Sequence, residues 1–260
     1  MTDSYVALDL ETTGIGAKKE KITEIGMVKV LDGQIVSTYH SLVNPRRPIP
    51  EEIVRLTGID DSMVQDAPGM EEILGEILEF MEELPLLGHQ IQFDYGFLAQ
   101  AAVNQGIRLE KDGIDTLALC RALMPAGERK NLSSACRYFG IDQENAHRAL
   151  SDALCAHRLY QKLRERYQEG ENGLFYSKKL RYKAKKERTA SKRQKEYLQD
   201  LIKYHRINVT VQMEHMSGNE ISRMTDKIIF TYGKIPRETR GNSLRINNDK
   251  RGECYVQSEK

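Results

Sequence analysis

A short apolar run near the start of the chain ends in two acidic residues and a turn. Residues 5–14 read YVALDLETTG, in which Val and Leu are typical of a buried strand and Thr-Thr-Gly is typical of a turn. Because side chains alternate between the faces of a strand, Asp9 and Glu11 share one face, and Val6, Leu8 and Leu10 share the other. Two such carboxylates repel each other unless one binds a proton or a cation lies between them. The pattern is typical either of a site for a divalent ion such as Mg²⁺, which prefers oxygen ligands, or of two solvated acids at a strand end.

The composition narrows the class of protein. The chain has 260 residues, 40% of them hydrophobic and 30% charged, as in an ordinary soluble protein with one large domain or a medium and a small one. Its apolar runs are all shorter than the roughly 18 residues of a membrane helix, and residues 1–4 lack the start of a secretion signal. We therefore expect no membrane association and a cytoplasmic location. The cysteines lack paired metal-type spacing and are expected to be reduced thiols: Cys120, Cys136, Cys155 and Cys254.

The pattern of predicted elements indicates the fold class. A strand over 22–31 and a returning strand over 35–43 flank the turn signal Asp32-Gly33, which predicts a hairpin. Short strands are predicted at 86–88 and 114–116. Helices are predicted at 50–56, 70–83, 93–104, 131–138 and 149–167, and a further helix follows the strand at 114–116 and ends at 123. A hairpin followed by strands that alternate with helices predicts an α/β fold with a mixed sheet covered by helices on both faces.

Two further acids stand at predicted helix starts. Asp94 follows a short strand in GHQIQFD, and Asp152 closes HRALSD, which begins at His147. Positions five apart on one helix point about 140° from each other, so His147 and Asp152 can meet only if His147 lies in the loop before the helix. Each residue also has a purely structural explanation, since acids are favoured at a helix start and a histidine can cap a helix or be solvated.

These three segments, taken in order, resemble the exonuclease motifs of the DEDDh family. The segments are DLETTG from Asp9, HxxxFD from His89 and HRAxxD from His147. The family comprises proofreading-type 3′–5′ exonucleases and includes the epsilon subunit of bacterial DNA polymerase III. The resemblance covers roughly residues 5–168, and three motifs in order are far more specific than any one of them. It implies a ribonuclease H-like fold.

The resemblance also implies roles for the acids and for one histidine. Four acids would hold two Mg²⁺ or Mn²⁺ ions, with Asp9 bridging both, Glu11 and Asp152 completing one site, and Asp94 supporting the other. His147 would be the general base that takes a proton from the attacking water, a task that suits a group titrating near neutrality.

Contacts to the substrate follow from the same resemblance. Thr12 and Thr13 would lie near the terminal nucleotide, Ile15 would be an apolar wedge between the last bases, and His89 would be a further substrate-binding residue. The family commonly has Asn after the histidine of the second motif, where this chain has Gln90. Since Gln is longer by one methylene, we expect the supporting hydrogen bonds there to differ.

The predicted function is that of a metal-dependent 3′–5′ exonuclease that releases nucleoside monophosphates, with DNA as the expected substrate. Its partners would be a single-stranded or frayed 3′ end and a DNA polymerase or another replication or repair protein. An exoribonuclease or oligoribonuclease of the same superfamily is the alternative, because the residue types at the metal site do not distinguish DNA from RNA. A non-catalytic nucleic-acid-binding subunit is a further alternative.

The C-terminal part of the chain has a different composition. The segment EGENG at 169–173 predicts a connection between an exonuclease domain, 1–169, and a basic, mainly helical accessory region, 170–260. Between Lys178 and Arg206 there are twelve Lys or Arg against three acids. This clustering predicts that the region from about Leu174 onward holds a nucleic-acid strand. The alternative is that its two helices dock on a polymerase or another protein and that the basic face is solvated.

Overall fold

The described part of the chain falls into two compact units. A computed structural model of the protein describes residues 3–143, 146–170, 172–209 and 213–236. The first unit ends at Arg188 and the second begins at Thr189. Within these described ranges, no helix combines the length and the apolar character needed to span a membrane. Three of the four cysteines are buried free thiols, as expected, and Cys254 lies outside the described residues.

The first unit is built on a mixed sheet. Its strands are β1 (Tyr5–Thr12), β2 (Ile22–Leu31), β3 (Gln34–Leu42), β4 (Leu86–Gly88), β5 (Asp112–Asp115) and β6 (Lys178–Lys179). The order across the sheet is β3-β2-β1-β4-β5-β6. Strands β1, β2 and β3 are antiparallel neighbours, β4 and β5 run parallel to β1, and β6 is antiparallel to β5. The predicted hairpin and the predicted mixed sheet are both confirmed.

Helices connect and cover these strands. They are α1 (Glu51–Thr57), α2 (Asp61–Val64), α3 (Met70–Met81), α4 (Ile91–Asn104), α5 (Thr116–Leu123), α6 (Leu132–Tyr138) and α7 (Ala149–Tyr167). The end of α1 follows the sequence signal, because Gly58 has a φ of 73° and its N–H donates to the carbonyl of Val54. The four-residue α2 was not predicted, since it is too short to show helical periodicity.

The apolar core lies on both faces of the sheet. Alternate residues of β1 belong to different layers, because successive side chains of a strand point to opposite faces. Tyr5 and Ala7 pack in one layer with α5, α6 and α7, and Leu8 packs in the other with α3 and α4. Asp9 has the same parity as Tyr5 and Ala7. It therefore faces the layer that contains α7.

The first unit continues past the predicted domain boundary. Phe175 is fully buried in the α7 layer, and its carbonyl oxygen accepts a hydrogen bond of 3.3 Å from the Tyr160 hydroxyl. Lys178 and Lys179 then extend the sheet beside β5. The compact unit thus includes residues 170–188, whereas the sequence placed a boundary after residue 169. The functional division into an exonuclease domain and an accessory region stays a prediction.

The described residues of the second unit form two helices, α8 (Lys192–Tyr204) and α9 (Gly218–Tyr232), with a short 3₁₀ turn at Met213–His215. Each helix begins with a capping box, formed by Ser191 with Gln194 and by Ser217 with Glu220. Their apolar faces enclose a small core: Leu198, Leu201, Ile221, Ile228 and Ile235.

Candidate active site

Strand β1 carries two of the predicted catalytic acids past the end of its parallel neighbour. Ala7 lies beside Leu87 in the parallel pairing, and β4 ends one residue later at Gly88. Asp9 and Glu11 therefore lie just beyond the end of β4, on the face that points to α7. Both acids are partly exposed to solvent.

The first turn of α4 brings Asp94 to the same end of the sheet. The Asp94 side chain is buried, and its Oδ1 accepts a hydrogen bond of 3.2 Å from the backbone N–H of Leu10. The helix begins after Gln90, which has a φ of 76° and donates its backbone N–H to Asp115 Oδ1 at 2.9 Å. A left-handed conformation favours Gly or Asn, so the Gln at this position is an unusual residue for its backbone.

His89 is bound by protein groups on both sides of its ring. Nε2 lies 2.8 Å from the carbonyl oxygen of Lys130, and Nδ1 lies 3.0 Å from the Thr116 hydroxyl. Burial lowers the pKa of His89, which favours the neutral ring. Because a carbonyl only accepts, Nε2 carries the proton, and this tautomer follows from the geometry. The role of His89 in substrate binding stays a prediction, and its contacts here tie the end of β4 to the segment before α6.

His147 and Asp152 come together at the start of α7. His147 lies in the turn before the helix with a φ of 65°, as their spacing required, and Asp152 is in the first turn. Asp152 accepts a hydrogen bond of 2.7 Å from Gln143 Nε2 on Oδ1, and one of 3.3 Å from the His147 backbone N–H on Oδ2. One potential ligand atom from each of Glu11, His147 and Asp152 lies within 4.8 Å of the others. These three side chains form a group that could hold a metal ion.

The turn before α7 is anchored to β2 by an ion pair. Glu24 is a fully buried acid, and Arg148 donates to it from Nη2 at 2.7 Å and from Nε at 3.0 Å. The backbone N–H of Ala149 also donates to this carboxylate, at 3.0 Å, and His40 Nε2 lies 2.6 Å from it. Since Arg148 directly follows His147, this ion pair also holds the backbone of His147 in place relative to β2.

A glycine in β2 allows α7 to lie against the sheet. Gly26 pairs with Asp9 in the neighbouring strand, and a Cβ atom there would overlap the backbone of Ala149 and Leu150. Only glycine can therefore let the start of α7 approach this closely. This close contact places the first turn of α7, which contains Asp152, against Gly26, the β2 residue that pairs with Asp9.

Sequence reasoning missed three residues that support the site: Glu24, Gly26 and Gln143. A signal for two of them was present, because ITEIGMVKV places an acid and a glycine inside an otherwise apolar strand. A glycine within a strand often marks close approach of another backbone. The contact between Gln143 and Asp152 has no comparable signal in the sequence.

The acids raise one another's pKa values. Burial, and then the charges of Asp94 and Asp152, hold the pKa of Asp9 well above its usual range. Burial and the charge of Asp152 raise the pKa of Glu11 to about 7. Burial is also the largest cause of the raised pKa of Asp94. The pKa of Asp152 is raised by burial as well, although its hydrogen bonds from Gln143 and His147 act to lower it. Repelling carboxylates of this kind fit a divalent cation, which would offset their charges and takes oxygen ligands.

The loop after β1 holds the predicted substrate residues. The Thr12 hydroxyl donates to the carbonyl of Gly14 at 2.8 Å, and the Thr13 hydroxyl donates to Glu20 Oε2 at 2.8 Å. These bonds give the loop a defined shape. Ile15 extends from it with 92% of its surface exposed, so its side chain is available to a ligand. The substrate roles of these residues stay predictions.

Comparison with known proteins identifies a family that the chain matches. A family model described as an exonuclease, RNase_T, matches residues 6–160. The PolC-type DNA polymerase III of Caldanaerobacter subterraneus subsp. tengcongensis is 38% identical over 165 residues, which are 64% of this chain and 12% of that protein. The chain spans about a tenth of the length of these curated relatives.

Solved exonucleases share the fold. The structure of exonuclease X in complex with 5′ overhanging duplex DNA has a TM-score of 0.52 and 26% identity, and the match covers 62% of this chain and 92% of that one. A structure of exonuclease I has a TM-score of 0.60 and 16% identity, and covers 67% and 43%, which shows the fold alone. The mixed sheet with its flanking helices is thus the ribonuclease H-like fold that the sequence predicted. The chain therefore belongs to the exonuclease family, within the DnaQ-like superfamily.

Proposed function

We propose that this chain is a metal-dependent 3′–5′ exonuclease that acts on DNA and releases nucleoside monophosphates. The observation that carries the proposal is the convergence of four acids with raised pKa values, beside an exposed histidine, from three separate parts of the chain. Carboxylates in this state are costly for a folded protein unless a bound cation offsets them. A site of this kind is suited to metal-assisted hydrolysis of a phosphodiester.

The four acids would hold two divalent ions, Mg²⁺ or Mn²⁺. Asp9 would lie between the ions, Glu11 and Asp152 would complete one site, and Asp94 would support the other. When bound, such ions stabilise both the attacking and the leaving oxygen of an in-line displacement at phosphorus. The hydrogen bonds from Leu10 to Asp94 and from Gln143 to Asp152 would keep these two carboxylates oriented.

His147 would act as the general base. Its imidazole is exposed, and the turn that carries it is anchored by the ion pair between Arg148 and Glu24. A ring nitrogen would accept a proton from the water that attacks the terminal phosphodiester. The closeness of the ring to Glu11 and Asp152 would also permit it to bind a metal ion, and the two roles predict different behaviour of a variant without the ring.

The relatives favour DNA over RNA as the substrate. One solved relative is described in complex with 5′ overhanging duplex DNA, and the curated relatives are DNA polymerases. By extension, a single-stranded or frayed 3′ end of DNA would enter this site, with Thr12, Thr13, Ile15 and His89 near its last nucleotides. A DNA polymerase or another replication or repair protein would be the partner.

A digest of end-labelled oligonucleotides tests the proposal. With Mg²⁺, a 3′ label on single-stranded DNA should appear at once as a mononucleotide, while a 5′ label should move down a ladder of shortening products. EDTA should stop both reactions. Early release of the 5′ label, or cleavage that persists in EDTA, would overturn the proposal. Faster digestion of RNA of the same sequence would favour the exoribonuclease alternative, and no hydrolysis at all would favour the binding subunit.

A further inference from the structure

An extended basic segment lies across the first unit on the side of α4. Residues 178–188 read KKLRYKAKKER and contain one acid. We call this segment the basic strap. All of its cationic side chains are exposed: Lys178, Lys179, Arg181, Lys183, Lys185, Lys186 and Arg188.

Side-chain amides on one face of α4 hold the backbone of the strap. Gln92 exchanges two hydrogen bonds with the backbone of Arg181, at 3.0 and 3.3 Å. Gln100, which is buried, donates to the carbonyl of Lys185 at 2.8 Å and accepts from its N–H at 3.4 Å. Because these amides are eight residues apart on one helix, they line up along the same face. The strap is therefore bound as a strand would be, although most of its partners are side chains.

Alternation along the strap directs its charges outward. Leu180, Tyr182 and Ala184 pack against the apolar layer that contains α4. The Tyr182 ring lies over Gly96, where a Cβ atom would be 3.2 Å from the ring. Since neighbouring residues of an extended chain point to opposite sides, the basic residues between these three are directed to solvent.

Both ends of the strap are fixed as well. At its start, Lys178 and Lys179 pair with β5. At its end, the backbone N–H of Glu187 donates a hydrogen bond of 3.0 Å to Asn104 Oδ1, and the Glu187 carboxylate lies 3.7 Å from Lys21 Nζ. Lys21 in turn donates its backbone N–H to the Thr13 hydroxyl at 3.0 Å. The end of the strap therefore reaches the loop that carries the predicted substrate residues.

We propose that the basic strap is a preformed surface for the phosphates of a nucleic-acid strand whose 3′ end occupies the active site. The inference rests on the proposed function and adds to it the class of substrate: a strand long enough to extend beyond the catalytic pocket. Charge complementarity identifies the ligand as a polyanion, since the strap offers seven exposed cations and pairs its one acid with Lys21. A backbone that is already fixed loses less conformational freedom on binding than a flexible basic tail does.

A charge variant of the full-length chain tests this surface. In Lys183→Gln/Lys185→Gln/Lys186→Gln the backbone hydrogen bonds are kept and three positive charges are removed. Binding of a fluorescent single-stranded DNA of about thirty nucleotides is measured by anisotropy in EDTA over a range of salt. Each lost phosphate contact should reduce the slope of log affinity against log salt by about 0.7, so the slope should fall by up to about 2.

The matched control removes the same charge from the second unit. Lys192→Gln/Arg193→Gln/Lys203→Gln changes three exposed residues of α8. Its salt slope should equal that of the unaltered protein. An unchanged slope in the strap variant, or an equal reduction in both variants, would overturn the assignment to the strap. So would an unchanged slope together with loss of a protein partner in a pull-down, which would identify the strap as a protein-docking surface.

A second variant tests whether the strap must be preformed. Gln92→Ala/Gln100→Ala keeps every charge but removes the amides that bind Arg181 and Lys185. It should bind the same oligonucleotide several-fold more weakly with the salt slope unchanged. Full affinity in this variant would overturn the claim of a preformed surface.

The test is separable from the proposed function. Binding in EDTA requires no hydrolysis, so it reports the strap alone. Release of a labelled 3′ nucleotide from a trinucleotide by the unaltered protein in Mg²⁺ reports the active site. If the trinucleotide is not hydrolysed, the proposed function fails whatever the salt slope is. If it is hydrolysed and the strap variant binds with the full slope, only the strap proposal fails.

Discussion

Arg148 donates two hydrogen bonds to the buried carboxylate of Glu24, from Nη2 at 2.7 Å and from Nε at 3.0 Å. The pair joins the segment before α7 to strand β2, which lies between β3 and β1 in the sheet. His147 precedes Arg148 directly and has a φ of 65°, a backbone conformation that is unfavourable for a histidine outside a constrained turn. The ion pair thus maintains the turn from which the histidine reaches Asp152 and Glu11.

Removing the positive charge of Arg148 should reduce both the stability of the protein and its rate of hydrolysis. In Arg148→Met the buried Glu24 loses its charged partner. The expected loss is on the order of 3 kcal/mol, the lower end of the range for a broken buried pair, because 38% of the Arg148 side chain is exposed. Since the histidine turn also loses its anchor, kcat should fall while KM changes little. Urea unfolding and steady-state digestion of a short oligonucleotide measure the two effects.

A double variant separates the two effects. Glu24→Gln/Arg148→Met carries no unpaired buried charge and should regain part of the lost stability. Its kcat should stay low, because the turn remains without an anchor. Normal kcat in Arg148→Met would show that the ion pair does not position His147.

The same pair predicts how stability depends on pH. Burial raises the pKa of Glu24, but hydrogen bonds from Arg148, Ala149 and His40 outweigh it, so the pKa is lowered overall. A group with a lowered pKa in the folded state stabilises the protein above its unfolded pKa of about 4.3, and this contribution is lost as the pH falls. Glu24→Gln should therefore lose less stability than the unaltered protein as the pH falls below about 4.3. Identical acid profiles in thermal melts would contradict the assignment.

The close approach at Gly26 predicts a large effect of one methyl group. Gly26→Ala places a Cβ atom against the backbone of Ala149 and Leu150, so α7 must move and carry Asp152 with it. Overpacking of this kind should cost about 1–3 kcal/mol, and activity should fall more than stability alone would explain. The matched control is Gly75→Ala in the exposed part of α3, where a Cβ meets nothing within 4 Å. That substitution should stabilise the protein by up to about 1 kcal/mol.

Local sequence signals predicted most helices and strands, because these signals arise from interactions between residues that are close together in the chain. The bounds of β2, β4 and α7 agree with periodicity and turn residues. The spacing of His147 and Asp152 also determined that the histidine precedes the helix. Such features depend on residues near one another in the chain.

The features that the sequence did not reveal depend on contacts between distant segments. Glu24 and Arg148 are 124 positions apart, and the identity of either residue does not indicate which residue it pairs with. Phe175 follows a segment that reads as a linker, yet it is buried in the core. The path of the basic strap is set by Gln92 and Gln100, two amides on a helix surface that have no pattern of their own.

Replacement of Asp9 should separate catalysis from stability. Its raised pKa means that the ionised carboxylate costs stability, and this cost appears as the pH rises through the folded-state pKa. Without added metal, Asp9→Asn should therefore melt at the same or a higher temperature than the unaltered protein at pH 7. Its hydrolysis in Mg²⁺ should be abolished, and added Mn²⁺ should no longer raise its melting temperature.

Asp66→Asn is the control for charge, because Asp66 is an exposed acid far along the chain from the site motifs. It should leave both the hydrolysis rate and the effect of Mn²⁺ unchanged. Near-normal hydrolysis by Asp9→Asn in Mg²⁺ would remove Asp9 from the proposed metal site.

His147 should affect the rate and not the binding of metal. A general base takes the proton from the attacking water, so the rate of the unaltered protein should depend on the His147 ring. His147→Ala should lose about 10²–10⁴-fold in kcat. The control His205→Ala changes a histidine of the second unit, whose ring lies near the Gly233 carbonyl, and should leave kcat unchanged.

Calorimetric titration with Mn²⁺ decides whether His147 is a general base or a metal ligand. If His147→Ala binds Mn²⁺ as the unaltered protein does, the histidine is not a ligand. If its affinity falls as far as that of Asp152→Asn, the histidine binds the metal, as its distance from Glu11 and Asp152 permits.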